Sequence, residues 1–462
     1  MRRVTVVGHD GGGFGAAAGA ALARATLVAG GERHLSGLDV SAECLVMGPV
    51  APVVARVAAH DGEAVVLASG DPGFFGIVAA LRRAGIEPVV IPAVSSVAAA
   101  FARAGLPWDD ALVVSAHGRD RLDPGAHRHD PFLWTLDAAM ATPGDHKNGS
   151  SSPADSGDPR RGDEPGDGHR VAGQIRAGGR QGGGLSGLRR AVNVCRAYPK
   201  VAVLTAPGSG PAALGAALAG WTRTLVVAER LGTPQERLVT VEAAQAHTAD
   251  WADPNVVLVL DPARPEVRPG PGWIAGAGPG PAGWALPEAA YAHRDSMITK
   301  AEVRAYVLAR LGPRLGDLVW DVGSGSGSVA VECARFGAAV LAVERDPAAL
   351  PLITANAAGL GVRLVAGDAP GCLAGLPDPD AVFVGGGGGG PVLAACAERR
   401  PDRIVTALAG LERVGPALAL LGDAGYRTEG VQLQASRLNP LPGGSHRLAA
   451  TNPVFVVSGE LP

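Results

Sequence analysis

The chain is poor in cysteine, lysine and charge, and it has no long apolar run. Its five cysteines (Cys44, Cys195, Cys333, Cys372 and Cys396) are odd in number and never in CxxC spacing. That excludes a disulfide framework or a zinc knuckle and fits a reducing cytosol; no metal is expected. No uninterrupted apolar stretch approaches the roughly 18 residues of a membrane span. The opening MRRVTVVG carries neither a signal-peptide core nor a small-residue cleavage site. The expectation is a cytoplasmic protein with no membrane partner. Charged residues make up only 18% and the formal net charge is −3. A nucleic-acid binder needs a basic surface to displace counterions from phosphates, so that partner is disfavoured. Lysine occurs three times (Lys147, Lys200 and Lys300) among 41 basic residues, a bias that goes with the abundant Ala, Gly and Pro of GC-rich coding.

What is present is apolar and glycine-rich. At 462 residues, 47% hydrophobic, the chain exceeds the roughly 250–300 residues that one core accommodates, so two or more domains are expected. Thr142–Gly187 holds 13 glycines and 4 prolines in 46 residues, and its only large aliphatics are Val171, Ile175 and Leu185. Such a segment buries too little apolar surface to offset its ordering entropy and reads as a disordered insertion in a surface loop. Asp261–Gly283, DPARPEVRPGPGWIAGAGPGPAG, has linker composition. The expected division is a domain over 1–262, a linker over 263–284 and a domain over 285–462. In the first, strand-like runs at 4–7, 64–69, 88–92, 111–115, 201–205, 224–229 and 256–260 alternate with Ala-rich stretches. Helices are expected at Phe14–Ala25, Phe75–Ala84 and Ser96–Ala104. The second repeats strand–helix units. Both read as α/β, with a mainly parallel sheet in at least the first half of the N-terminal domain.

The C-terminal domain carries VWDVGSGSGSVAVE at 319–332: an apolar strand, an acid at Asp321, a turn with Gly323, Gly325 and Gly327, then a helix. The glycines permit a tight turn and close backbone approach of a ligand at the helix start. The next strand ends in Glu344, placed to accept hydrogen bonds from ribose hydroxyls. A third strand leads to Asp368, and a fourth opens into Gly385–Gly390. Together these residues resemble a class I S-adenosylmethionine (SAM) methyltransferase. Ahead of them, Thr299 and Glu302 are spaced as a capping box. His293, Lys300 and Arg304 would crowd the start of that helix, suited to anionic substrate groups; a solvated helix start is the other reading.

The N-terminal domain has a different set: the loop GHDGGGFG beginning at Gly8, the turn Ser69-Gly70-Asp71-Pro72, Ser95 and Ser96 at a helix start, and VVSAHGR at 113–119. In this order they resemble the tetrapyrrole methylases, and LTAPGSGPAAL and VVAERLGTPQERL continue the match. A tetrapyrrole methylase followed by a class I methyltransferase is similar to the organisation of the precorrin-6Y C5,15-methyltransferases (decarboxylating) of cobalamin biosynthesis. The resemblance covers nearly the whole chain apart from the insertion and the linker.

That resemblance implies an N-terminal tetrapyrrole-methylase fold of two α/β subdomains and a C-terminal Rossmann-like domain, with one SAM per domain. It implies methylation of a polycarboxylate tetrapyrrole at carbon 5 by the first domain, and at carbon 15 with decarboxylation by the second. It also implies a homo-oligomer. The SAM contacts carried over are Gly8, Gly70, Asp71, Pro72, Ser95 and Ser96 in the first domain. In the second they are Asp321, Gly323, Gly325, Gly327, Glu344 and Asp368. His117, Arg119, Lys300, Arg304 and Arg447 are the expected substrate clamps, and His293 or His446 the acid near the macrocycle. The chain departs from the family in its first loop, which lacks a regular Gly-x-Gly-Pro-Gly. It departs again at 399–412, where RRPDRIVTALAGLE replaces Pro-Gly-Gly-Arg and an Asn-containing strand. The alternatives are a precorrin-binding protein with one inactive domain, and a class I RNA or protein methyltransferase.

Overall fold

The Val- and Leu-rich runs become the centres of three sheets in the computed structural model. It describes residues 3–74, 76–116, 184–264, 275–276, 278, 280–294, 297–385 and 389–462. The first sheet contains β1 (Arg3–His9), β2 (Leu27–Gly30), β3 (Glu43–Val46), β4 (Glu63–Ser69) and β5 (Val89–Ile91). All its pairings are parallel, in the order β3-β2-β4-β1-β5. Parallel strands need crossover connections, and the helices between them cover both faces. Val6, Val7, Val65, Val66 and Leu67 are therefore all buried, and the runs read as continuously apolar rather than alternating. Two expected helices are shorter than read, at Ala16–Arg24 and Ile77–Arg83, and Ser96–Ala104 matches.

The second sheet contains β6 (Leu112–Ser115), β7 (Lys200–Leu204), β8 (Thr224–Glu229), β9 (Arg237–Glu242) and β10 (Asn255–Leu260), in the order β6-β7-β10-β8-β9. Only β6 and β7 are parallel; β10 runs antiparallel between β7 and β8, and β8 pairs antiparallel with β9. Of the insertion expected at 142–187, residues 142–183 lie outside the described residues. Gly184–Gly187 instead open the helix Gly184–Ala197.

The third sheet is built from β11 (Leu318–Val322), β12 (Ala339–Glu344), β13 (Val362–Ala366), β14 (Ala381–Val384), β15 (Arg403–Leu408) and β16 (Arg427–Leu433). After a hairpin of β17 (Ser436–Pro440) and β18 (His446–Ala450), β19 (Val454–Glu460) completes it. The order is β13-β12-β11-β14-β15-β19-β16, parallel through β15, with β19 inserted antiparallel between β15 and β16. Among the described residues no helix is long and apolar enough to cross a membrane.

The N- and C-terminal halves share a core. Ala191, Val192, Val194 and Cys195 of the helix Gly184–Ala197 pack into the second sheet. Ala197, Tyr198 and Trp221 pack with Trp320 and Leu341 of the third. A polar contact sits beside this seam. Asp380 accepts from the Leu318 N–H (2.8 Å) and Asn193 Nδ2 (3.2 Å) and pairs with Arg189 (2.7 Å). The expected linker is anchored where it begins: Asp261 is buried against Arg223 and Arg264, and Arg264 donates to Ala197 O. Removing a half-buried acceptor strands its donors. Asp380→Ala is expected to lower unfolding stability by about 2–3 kcal/mol, read as a shifted denaturant midpoint by circular dichroism.

Candidate ligand sites of the two domains

In the C-terminal sheet, β11 delivers Asp321 to the edge where parallel strands end, and Gly323, Gly325 and Gly327 turn the chain with φ of 73°, 58° and 75°. Side chains other than glycine rarely adopt these angles. Asp321 is 1% exposed. Its Oδ2 accepts from Ser324 Oγ (2.7 Å) and Ala330 N–H (2.9 Å), so one carboxylate holds both the turn and the following helix. Its Oδ1 is buried and has no partner among the described residues. Burial pushes the Asp321 carboxyl up to about 6; the bonds from Ser324 and Ala330 oppose that rise, and the Glu344 charge adds to it. Glu344, at the end of β12, accepts from the N–H groups of Gly325 (2.8 Å), Arg345 (2.9 Å) and Asp346 (2.8 Å). A carboxylate has about four acceptor positions, so one remains for a ligand hydroxyl. Asp368 beyond β13 is exposed and pairs with Arg345 at 3.3 Å.

This set fits SAM. The orphaned Asp321 oxygen needs a donor, Gly325 leaves open space beside the turn, and Glu344 and Asp368 stand at successive strand ends.

The segment ahead of the helix Ala301–Leu311 is strapped beside this turn. Glu332, fully buried on the helix Ser328–Arg335, accepts from Leu286 N–H (2.8 Å), Tyr291 Oη (2.6 Å) and Arg335 Nη1 (2.8 Å). Asn356 joins Ala292, through both backbone groups, to Ser326 O of the glycine turn. Arg294 pairs with Asp346 at 2.8 Å. His293 is thereby held, exposed, between two anchored residues.

Arg304 corrects the sequence reading. It is 0% exposed, donates to Thr299 O and Leu286 O, and lies 4.7 Å over the Tyr291 ring. It supports the strap and presents no donor to a substrate. The expected capping box is also not formed. Lys300 is the N-cap without a side-chain cap bond, Glu288 accepts from Ala301 N–H (3.0 Å), and Glu302 pairs with Arg437. Lys300 lines a small cavity of about 90 Å³ with Thr451 and Asn452. His446 and Arg447 lie on the exposed hairpin strand β18, and no described contact joins them to the glycine turn.

In the N-terminal domain a cavity of about 590 Å³ opens at the ends of β1 and β5, lined by Gly8, His9, Asp10, Phe14, Ala93 and Val94. A side chain at Gly8 would meet Gly70 O at 2.3 Å and Ala93 N at 2.6 Å, so only glycine permits the three strand ends to close here. Gly70 donates to His9 O (2.8 Å). Asp71 Oδ1 accepts from Gly73 N–H (2.8 Å), closing the turn that contains Pro72. Ser95 Oγ caps the helix that starts at Ser96, accepting from Ala98 N–H (3.1 Å). The glycines fit close approach of a SAM molecule, whereas the Asp71 and Ser95 side chains serve the fold. His117 and Arg119 lie outside the described residues. Sequence reading passed over His9, Arg33 and His34. A histidine directly after the strand-end glycine was a signal for the first; nothing in the sequence brings the other two to it.

Two family models match the chain: tetrapyrrole (corrin/porphyrin) methylases over residues 16–145 and a precorrin methyltransferase domain over 289–458. A precorrin-6Y C(5,15)-methyltransferase (decarboxylating) of a Sinorhizobium species is 32% identical over 401 residues, covering 82% of this chain and 77% of that one. A cobalt-precorrin-6B C(15)-methyltransferase (decarboxylating) of Salmonella typhimurium is 39% identical over 173 residues, covering 35% of this chain and 88% of that one. The crystal structure of a precorrin-6Y C5,15-methyltransferase from Geobacter metallireducens is 30% identical, covers 38% of this chain and 96% of that one, and gives a TM-score of 0.36.

The buried Asp321 carboxyl makes a pH prediction. Its pKa is raised on folding, so between about 4 and about 6 the folded state holds the proton more tightly than the unfolded state. Stability without ligand therefore falls as pH rises through that window and stays lower above it. Asp321→Asn is expected to remove that slope, gaining on the order of 2–3 kcal/mol at neutral pH, as read from denaturant midpoints between pH 4.5 and 7.5.

Proposed function

The chain belongs to the precorrin-6Y C(5,15)-methyltransferase (decarboxylating) family, and from that membership we propose that it methylates reduced precorrin-6 at carbons 5 and 15. It also removes carbon dioxide from the ring C acetate, and SAM binds once in each domain. The observation that carries this reading is a pair of separate glycine-lined sites at the strand ends of two different sheets, one of them with the orphaned Asp321 oxygen.

Bound SAM supplies an electrophilic methyl group to an electron-rich, enamine-like bridge carbon. That attack needs no strong base, so the protein's task is alignment. In the C-terminal domain Asp321 fixes the turn, and its unpartnered oxygen would accept from the ligand's ammonium. Glu344 would accept from a ribose hydroxyl, and Asp368 would accept from the base. In the N-terminal domain Gly8, Gly70, Asp71, Pro72, Ser95 and Ser96 form the corresponding backbone cradle. Loss of carbon dioxide requires an electron sink, which a protonated conjugated macrocycle provides. His293, held beside the glycine turn, is the acid assigned to that proton ahead of His446. Lys300 and Arg447 remain as clamps for substrate carboxylates in this domain, and His117 and Arg119 in the first. The exposed hairpin supports a homo-oligomer: Leu438 and Leu448 face each other across it at 67% and 70% exposure, an apolar pair suited to a second copy.

Mass spectrometry of the macrocycle tests the reading. Wild type with reduced precorrin-6 and SAM is expected to add two methyl groups and release one carbon dioxide. Gly8→Val, which has no room at the N-terminal strand ends, is expected to add one methyl group and still release carbon dioxide. No change of mass with wild type would favour a binding protein. A single methylation by wild type would assign an inactive domain.

A further inference from the structure

Beside the N-terminal cavity lies a cluster with more hydrogen-bond donors than acceptors. It gathers at the ends of neighbouring strands: His9 closes β1, Ser69 closes β4, and Arg33 and His34 sit on the turn of helix Glu32–Leu35 that follows β2. The contacts run through it continuously. Arg33 Nε donates to His34 Nε2 (3.0 Å), Arg33 Nη2 donates to Ser69 Oγ, and Ser69 Oγ lies 3.2 Å from the same His34 nitrogen. The His34 and His9 rings meet edge to face at 5.3 Å, and His9 lines the cavity.

The protons in this cluster can be counted. Burial, with the charge of Arg33 next, lowers the pKa of His34 to about 4, so its ring is neutral at pH 7. Its Nε2 is the acceptor, so the proton is on Nδ1, which is buried with no partner among the described residues. His9 Nδ1 accepts from Gly11 N–H (3.3 Å), which leaves the His9 proton on Nε2. One imidazole lone pair is thus contested by Arg33 and Ser69, while among the described residues the two ring N–H groups and the solvent-facing outer edge of the guanidinium meet no acceptor. Burial alone lowers the pKa of Arg33, with no carboxylate acting against it. Among the described residues no acid forms an ion pair with Arg33; Asp10 accepts from Gly12 N–H and Asp71 from Gly73 N–H.

We infer that Arg33, Ser69 and His9 form a carboxylate subsite of the N-terminal domain. A carboxylate supplies up to four acceptor positions and a negative charge, which answers both the donor surplus and the unpaired cation. Two ligands of this domain carry one, the macrocycle through its acetate and propionate arms and SAM through its amino-acid end. The inference rests on the reading that this domain methylates carbon 5.

The test uses the full-length chain and follows carbon-5 methylation by mass spectrometry, with carbon-15 methylation and decarboxylation by the same molecules as the internal control. Arg33→Gln is expected to raise one KM for carbon-5 methylation by about ten- to a hundredfold, with a smaller change in kcat. A rise in the macrocycle KM assigns the subsite to a macrocycle arm, and a rise in the SAM KM assigns it to the amino-acid carboxylate. Arg33→Lys, which keeps the charge without the fork, is expected to recover part of the loss. Both KM values within about twofold of wild type overturn the subsite, as does a loss of kcat alone accompanied by a lower melting temperature. Wild type that fails to methylate carbon 5 sinks the functional reading, and the subsite with it; an active wild type alongside an unaffected Arg33→Gln sinks the subsite alone.

Discussion

A carboxylate buried at the end of a parallel strand must find N–H or O–H donors, because water is excluded there and a bare charge is costly. In the C-terminal sheet the donors within reach belong to the backbone of the turn and helix that follow. Asp321 takes Ser324 and Ala330, and Glu344 takes Gly325, Arg345 and Asp346. The two acids thereby determine the course of residues 322–330 from both sides. The φ values at Gly323, Gly325 and Gly327 are what that course requires. The same arrangement leaves Asp321 Oδ1 without a partner among the described residues, so the buried oxygen favours a ligand that brings a donor. Architecture and ligand preference have a common origin here.

A third acid extends the logic to the segment in front of the domain. Glu332 is fully buried and gathers Leu286, Tyr291 and Arg335, with Arg304 lying 3.9 Å away to balance its charge. Arg304 is therefore half of a buried ion pair whose other role is to hold two carbonyls of the strap. This is why an arginine that looks like a substrate clamp in sequence is silent toward substrate. Besides the nearby Thr299 carbonyl, its polar partners are Leu286 and Glu332, 18 positions before it and 28 after, and no local pattern encodes them. The strap in turn decides where His293 stands, because Ala292 and Arg294 on its two sides are fixed to Asn356 and Asp346.

Much of the fold was legible because buried parallel strands leave uninterrupted apolar runs, and those runs fell on β1, β4 through β8 and β10. β9 was not legible. Its burial alternates along RLVTVE, and a half-exposed edge strand lacks the continuous run that marked the others. β2 and β3 were missed too: β2 passes from Leu27 and Val28 into Ala29 and Gly30, and β3 is a largely exposed edge strand opening on Glu43 and Cys44. The glycine turn and its acids were readable because strand, acid, glycines and helix are contiguous. The capping box at Thr299 failed because Glu302 is drawn to Arg437, more than a hundred residues away, which also holds Glu288. A bidentate guanidinium contact outweighs a local cap.

The N-terminal domain reaches a similar end by different means. Gly8 is needed for the approach it permits, bringing the end of β1 within contact of the chain beyond β4 and β5, while Gly11 and Gly70 also take positive φ, 95° and 63°. Farther along the same loop, a side chain on Gly11 would overlap the Gly232 carbonyl, and one on Gly232 would overlap the Asp10 carbonyl. The loop after β1 therefore meets the loop after β8. Where strand ends converge without a buried acid, the local field is set by what surrounds them. Here that is an arginine, a serine and two imidazoles with no acid paired to them among the described residues. One sheet thus offers a ligand acceptors in search of a donor, and the other offers donors in search of an acceptor. A zwitterionic methyl donor and a polyanionic macrocycle can each be oriented by that difference.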